Sequence, residues 1–224
     1  MWNIFLFAVI PYLAVAIAVV GSIWRYRTDR FSYSSQSSQF LESRALFWGS
    51  VAWHYGILFV LGAHVIALMF WDPWAVLVSN PARLYTLEVI GLALSLLAFL
   101  GLALLLVRRL TVRRVKAVTS TMDWVLLVAL ATQVALGIWI ALGYRWGSEW
   151  YVHTAVPWMH SLIKLNPKPE YMVSLPAIVK LHAVFGFFLI ALFPFTRLVH
   201  IVTAPVTYLW RSYQVVVWNR RPAR

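Results

Sequence analysis

Read by polarity alone, the chain is a succession of five long apolar stretches divided by short polar ones, at about 3–24, 46–70, 84–107, 122–144 and 176–203. Each is long enough to cross the hydrocarbon of a bilayer, which takes about 20 helical residues. The pattern predicts an all-α integral membrane protein of five transmembrane helices, one membrane domain over 1–224, with 204–224 left as a tail. The connection WDPWAVLVSNPARLY is short and rich in proline and tryptophan, as expected of an interfacial turn. The stretch from Tyr144 to Tyr171 is the longest connection on its side, and its Trp146, Trp150 and Trp158 are expected at headgroup level. SSQSSQFLESR is polar and serine-rich, and reads either as a solvated linker or as a loop lying on a partner subunit. No internal repeat suggests a transporter built from duplicated halves.

Composition sharpens this picture. Hydrophobic residues make up 62% of the 224 and charged ones only 12%, against about 25% in a soluble domain. The net charge of +12 does not point to nucleic acid, because the basic residues sit in clusters between apolar runs and no soluble face presents a patch. Of the 19 Lys and Arg residues, all but Arg83, Arg145, Lys164, Lys168 and Lys180 fall in the first and third loops or near the C-terminus. The positive-inside rule then predicts an N-terminus outside and a C-terminus in the cytoplasm of a bacterial or archaeal cell. RYRTDR follows the first apolar run instead of preceding it, so that run reads as a retained span. Cysteine is absent, which leaves histidine, methionine or carboxylate to hold any redox centre.

Four of the six histidines lie within predicted spans: His54 and His64 in the second, His182 and His200 in the fifth. An imidazole in lipid is costly without a partner. Depth pairs His54 with His200 near the cytoplasmic side, and His64 with His182 near the outer side. Eighteen residues at about 100° each bring His182 and His200 to one face of a continuous helix, and ten leave His54 and His64 roughly 80° apart. Along the axis these spacings are roughly 27 and 15 Å, a mismatch that implies tilt. Two imidazoles on facing helices suit the axial positions of a b-type haem, once in each leaflet. Gly56, Gly62 and Gly186 leave room beside the ligands, although small-residue helix packing is an equal use for them. Pro194 bends the fifth helix toward its partner. Interhelical hydrogen bonds or a proton path are the metal-free alternatives, and zinc or copper would gather its ligands at one place.

The motifs WRYR with its following SSQ, RALFWGSVAWHYGIL, LLVRRLTVRRVKAVTS and KLHAVFGFFLIALFPFTRLVHIVTAPVTYL, with H-x9-H in one span and H-x17-H before P-x-x-Y, resemble the gamma subunit of respiratory nitrate reductase. The resemblance implies a quinol-oxidising dihaem cytochrome b: a five-helix anchor with a distal haem on His64 and His182 and a proximal one on His54 and His200. It implies a cytoplasmic iron–sulfur subunit and a molybdenum catalytic subunit as partners. A quinol site is expected beside His64, from Ala63, Arg83, Tyr85 and Glu88. The family has a glycine where Ala63 stands, and a lysine near the turn where this chain offers only Arg83. Glu88 reads as the only carboxylate well inside a span. Lys180 and Arg197, two and three residues before their histidines, are candidate partners for haem propionates. His153 and His160 are expected at a surface or an interface. Three competitors remain: the same module serving another terminal reductase, a proton-coupled carrier, and a haem-free structural anchor for an enzyme.

Overall fold

The structure, a computed structural model, describes residues 1–33 and 38–202. Among these, five helices are long and apolar enough to cross a membrane: Trp2–Thr28, Arg44–Met69, Pro81–Thr111, Thr121–Gly143 and Ala177–Phe195. They are the first to fifth spans below, and no strand occurs among the described residues. The expected tail at 204–224, with its P-x-x-Y turn, lies outside the described residues.

Local chemistry sets where the spans begin. Pro81 opens the third span behind Asn80, whose side chain accepts the amides of Ala82 and Arg83. Ser120 and Asp123 form a reciprocal capping box on the fourth. The second has no capping side chain at Ser43. Glu42 serves instead, accepting from Ala45 and Leu46 while the buried Arg108 guanidinium donates to its carboxylate at 2.6 Å. Arg108 also donates to Ser38 and to the Glu42 carbonyl, which fastens the end of the serine-rich loop to the third span.

The fifth span departs from expectation. It is not one helix over 176–203: the α-helix ends at Leu192, a 3-10 turn covers Phe193–Phe195, Thr196 is extended, and Arg197–Ile201 forms a second 3-10 turn carrying His200. Pro194 has no N–H to give and its ring displaces the carbonyl a turn earlier, so the helix breaks where a bend was expected. The rise and rotation computed for an unbroken helix therefore do not apply to His182 and His200. Arg25, at the end of the first span, donates to the Pro194 carbonyl at 2.6 Å and to that of Thr196 at 3.1 Å. Gly21 makes the approach possible, since a Cβ there would lie 2.8 Å from the Pro194 ring.

Packing runs from the second span to the third, then to the fourth, the fifth and the first. The second and third lie closest. A Cβ on Gly56 would meet the backbone of Leu94 and Ala98, and one on Gly101 would lie 2.7 Å from the Gly49 carbonyl. Of the two uses weighed for Gly56, helix contact is the one realised. The two histidine-bearing spans, second and fifth, are not packing neighbours in this row, and they bury the smallest share of their apolar windows.

One end of the bundle gathers the clustered arginines and is called the arginine face. The other, the tryptophan face, is covered by short helices at Trp71–Val78, Gly147–His153, Ala155–Ile163 and Glu170–Val173. Trp158 is buried in the protein: it is 2% exposed and packs edge-on against Phe7 at 5.7 Å. Its indole donates to the Phe7 carbonyl at 2.8 Å. Pro11, four residues on, has no N–H to offer that carbonyl, and the tryptophan supplies one. Tyr12 likewise donates to the Leu162 carbonyl. His160 contacts the Leu68 carbonyl at 2.8 Å, the interface position expected of it, and His153 is exposed.

Two outcomes follow from these contacts. Trp158→Phe keeps the ring but leaves the Phe7 carbonyl without its donor, and should cost about 1–3 kcal/mol, read as a lower midpoint of thermal unfolding in detergent. The Ala45 amide and then Arg108 hold the Glu42 carboxyl below the ordinary 4.5. Its contribution to stability is thus complete above that pH and is lost as pH falls below it. Unfolding midpoints should show a steeper acid decline for the wild type than for Glu42→Gln.

Candidate functional site: paired histidines across an open row of helices

His54 lies one α-helical turn after Ser50, and its Nδ1 donates to the Ser50 carbonyl at 2.7 Å. His64 repeats the arrangement on the Val60 carbonyl, also at 2.7 Å. His200 achieves it on the 3-10 turn, where Nδ1 meets the Arg197 carbonyl at 2.6 Å. In all three the carbonyl demands the proton on Nδ1, which leaves Nε2 with its lone pair outward, the form in which imidazole binds a metal. A backbone carbonyl holding the far nitrogen is the usual orienting device for such ligands.

The structure brings His54 and His200 together. Their ring centres are 6.0 Å apart and their planes cross at 78°. Two imidazoles sharing one metal through bonds of about 2 Å have centres about 6 Å apart, and each ring is free to turn about that axis. Because the second and fifth spans are not packed on each other, the two rings meet across a gap in the row. Among the described residues no three of His, Asp or Glu converge as a metal cluster. Among these residues the two imidazoles form a pair without a third ligand beside them, a donor set that suits a planar macrocycle held from both sides.

The rings of His64 and His182 are engaged elsewhere. His64 faces Tyr151 at 5.4 Å, and the Tyr151 hydroxyl donates to the His64 carbonyl at 3.4 Å. His182 turns toward the fourth span, where Gln133 donates to its carbonyl at 3.2 Å and stands 3.4 Å from its Nε2. Gly137, one turn further, leaves space for the ring: a Cβ there would lie 3.2 Å from its Cε1. His182 Nδ1 and Gln133 Oε1 are both buried without a partner. Each such atom costs about 1–3 kcal/mol, so this end of the gap has polar capacity that the chain alone leaves unused. A Cβ on Gly62 or on Gly91 would meet nothing within 4 Å, which leaves room beside the second and third spans as expected of Gly62. Gly186 instead faces the Gln133 amide at 3.5 Å. These donors and this space fit b-type haem.

The flanking residues divide. Tyr85 is exposed beside the tryptophan face, and Ala63 is half-buried. Arg83 donates to the Val76 carbonyl at 3.1 Å and closes the turn before the third span. Glu88 accepts the Ser148 amide at 2.9 Å, holding the Gly147–His153 helix, and makes no ion pair with Arg83. Lys180 donates to the Val173 carbonyl. Arg197 is bidentate with Asp123, at 2.5 Å from Nε to Oδ1 and 2.9 Å from Nη2 to Oδ2.

Sequence reasoning missed three residues here. Asp123, at the start of the expected fourth span, is 3% exposed and so is a second carboxylate at a span, buried by the fold. Its signal was the S-x-x-D box before an apolar run. Gln133 is a lone amide in mid-span, which the cost of polar groups in lipid marks. Arg25 carries positive-inside charge in the sequence, and its bonds to the Pro194 and Thr196 carbonyls have no sequence signal.

A profile of the nitrate reductase gamma subunit family matches residues 3–219. The chain is 32% identical to the nitrate reductase gamma chain of Bacillus subtilis over 96% of its own length and 97% of the relative's. It is 33% identical to the respiratory nitrate reductase 2 gamma chain of Escherichia coli, covering 96% of each. With the nitrate reductase-like protein NarX of Mycobacterium tuberculosis it shares 36% identity over 92% of its length, but spans only 32% of that longer protein. Five membrane-crossing helices, the paired histidines and full-length similarity agree: the chain is a multi-pass membrane protein and belongs to the nitrate reductase gamma subunit family.

Proposed function

We propose that this chain is the membrane-anchoring dihaem cytochrome b subunit of a respiratory nitrate reductase. It oxidises quinol near the tryptophan face and delivers electrons to an iron–sulfur subunit, and through it to a molybdenum catalytic subunit, at the arginine face. The observation that carries the proposal is the His54–His200 pair, 6.0 Å between centres and with both Nδ1 atoms tied back to carbonyls. These two residues would hold the proximal haem, and His64 with His182 the distal one. Each haem, when bound, supplies a reversible one-electron centre.

The chain's own residues perform the rest. The carbonyls of Ser50, Val60 and Arg197 orient three rings and select the tautomer with the proton on Nδ1. The quinol headgroup is proposed to rest near His64 against Ala63 and Tyr85. Glu88 fixes the Gly147–His153 helix over that wall, and Arg83 holds the adjoining turn. Quinol gives up two protons and two electrons; the protons are proposed to leave on the tryptophan face, a reading supported by the clustering of basic residues at the opposite end. Moving each electron inward against the membrane potential takes about 2.3 kcal/mol per 100 mV, so the reaction separates charge.

Two measurements test this. Membranes holding the assembled complex should develop a b-type reduced band with a quinol analogue and lose it on adding nitrate. A band that nitrate leaves reduced would keep the cytochrome and remove nitrate reductase as its outlet. Replacing either His54 or His200 by alanine should lower the haem content from two per chain to one, and His64→Ala or His182→Ala should remove the other. Unaltered haem in all four variants would contradict the assignment.

A further inference from the structure

The fifth span does not itself hold His200. Past the break at Pro194 and the extended Thr196, the histidine rides on a 3-10 turn of five residues, too short to fix its own direction. Something else must place it 6.0 Å from His54. The fourth span supplies the strongest tie. Asp123, 3% exposed, receives the Arg197 side chain in a two-point fork that fixes the guanidinium in direction as well as distance. The same carboxylate takes a weaker contact from Arg109 at 3.4 Å and closes its own capping box on the Ser120 amide, so it is held from three directions. Arg197 is at the same time the residue whose carbonyl accepts from His200 Nδ1.

We infer that Asp123 is the positioning residue for His200: through the Arg197 fork it anchors the detached turn to the fourth span and so sets the orientation and hydrogen bonding of the proximal imidazole. Arg197 is then a strut between Asp123 and the His200 loop, where the sequence had suggested a partner for a propionate. The inference rests on the proposed haem at His54 and His200. It goes beyond that proposal, since Asp123 touches neither histidine and belongs to a span that carries none.

The test is Asp123→Asn in membranes holding the full complex, with Asp123→Glu beside it. Reductive titration and low-temperature electron paramagnetic resonance would follow each haem, and His200→Ala would identify which signal depends on that ligand. The amide keeps the size but loses the charge that holds the fork. The expected result is loss of the His200-dependent low-spin signal, or its shift to high spin, while the His64/His182 signal is unchanged. Asp123→Glu should restore it at least in part. The second haem reports that the chain is folded. Two unchanged signals in Asp123→Asn, or equal loss of both, overturns the inference. Wild-type membranes with no b haem overturn the underlying proposal instead.

Discussion

Inside a bilayer no water is available to a polar group that the fold leaves unpaired, and this constraint explains most of what distinguishes the structure. Each interruption of a helix frees backbone atoms, and each is answered by a side chain from elsewhere. Pro11 deprives the Phe7 carbonyl of a donor, and Trp158 gives one from a connection some 150 residues away. The break at Pro194 exposes carbonyls that Arg25 takes from the first span. The carboxylate of Asp123, costly by itself, is matched by Arg197 and Arg109. His54, His64 and His200 follow the same rule for one nitrogen each, while His182 keeps a buried Nδ1 without a partner. Gln133 Oε1 and His182 Nδ1, left uncompensated under so strict a rule, lie beside the proposed distal site.

That reasoning connects the fold to its chemistry. The row of helices has its tightest seam between the second and third spans, where glycines bring backbones together. The second and fifth, the two that carry imidazoles, are not packed on each other. Tight packing on one side holds His54 and His64 on a straight rod, while the broken fifth span lets His200 turn back toward that rod. A continuous fifth helix would have fixed the azimuth of His200 by sequence spacing alone. The break hands control to neighbouring spans, and with it the freedom to set one ligand without moving the other.

Much of this was legible in the sequence because it depends on length and periodicity. Five spans, the limits of the first four within a few residues, and the depth pairing of His54 with His200 required only counting. What escaped depends on contacts between distant parts of the chain. Pro194 announced a disturbance, but whether it would bend or break the helix depended on Arg25 and Gly21. Trp158 looked like an interfacial residue because its composition matched that role; its burial follows from the carbonyl that Pro11 frees. Gly56 could equally have served a ligand or a helix contact, and only the partner surface at Leu94 and Ala98 decides. Asp123 and Gln133 were visible as polar residues in apolar runs, yet their partners lie 74 and 49 positions away.

The central claim is that His54 and His200, and separately His64 and His182, clamp iron from opposite sides. Electron paramagnetic resonance of the oxidised wild-type protein at low temperature addresses it most directly, because two nitrogen ligands force ferric haem into the low-spin state. The account expects two low-spin signals of equal intensity, each equivalent to one iron per chain. A purified, folded protein with no low-spin iron, or with a single high-spin signal, would contradict it.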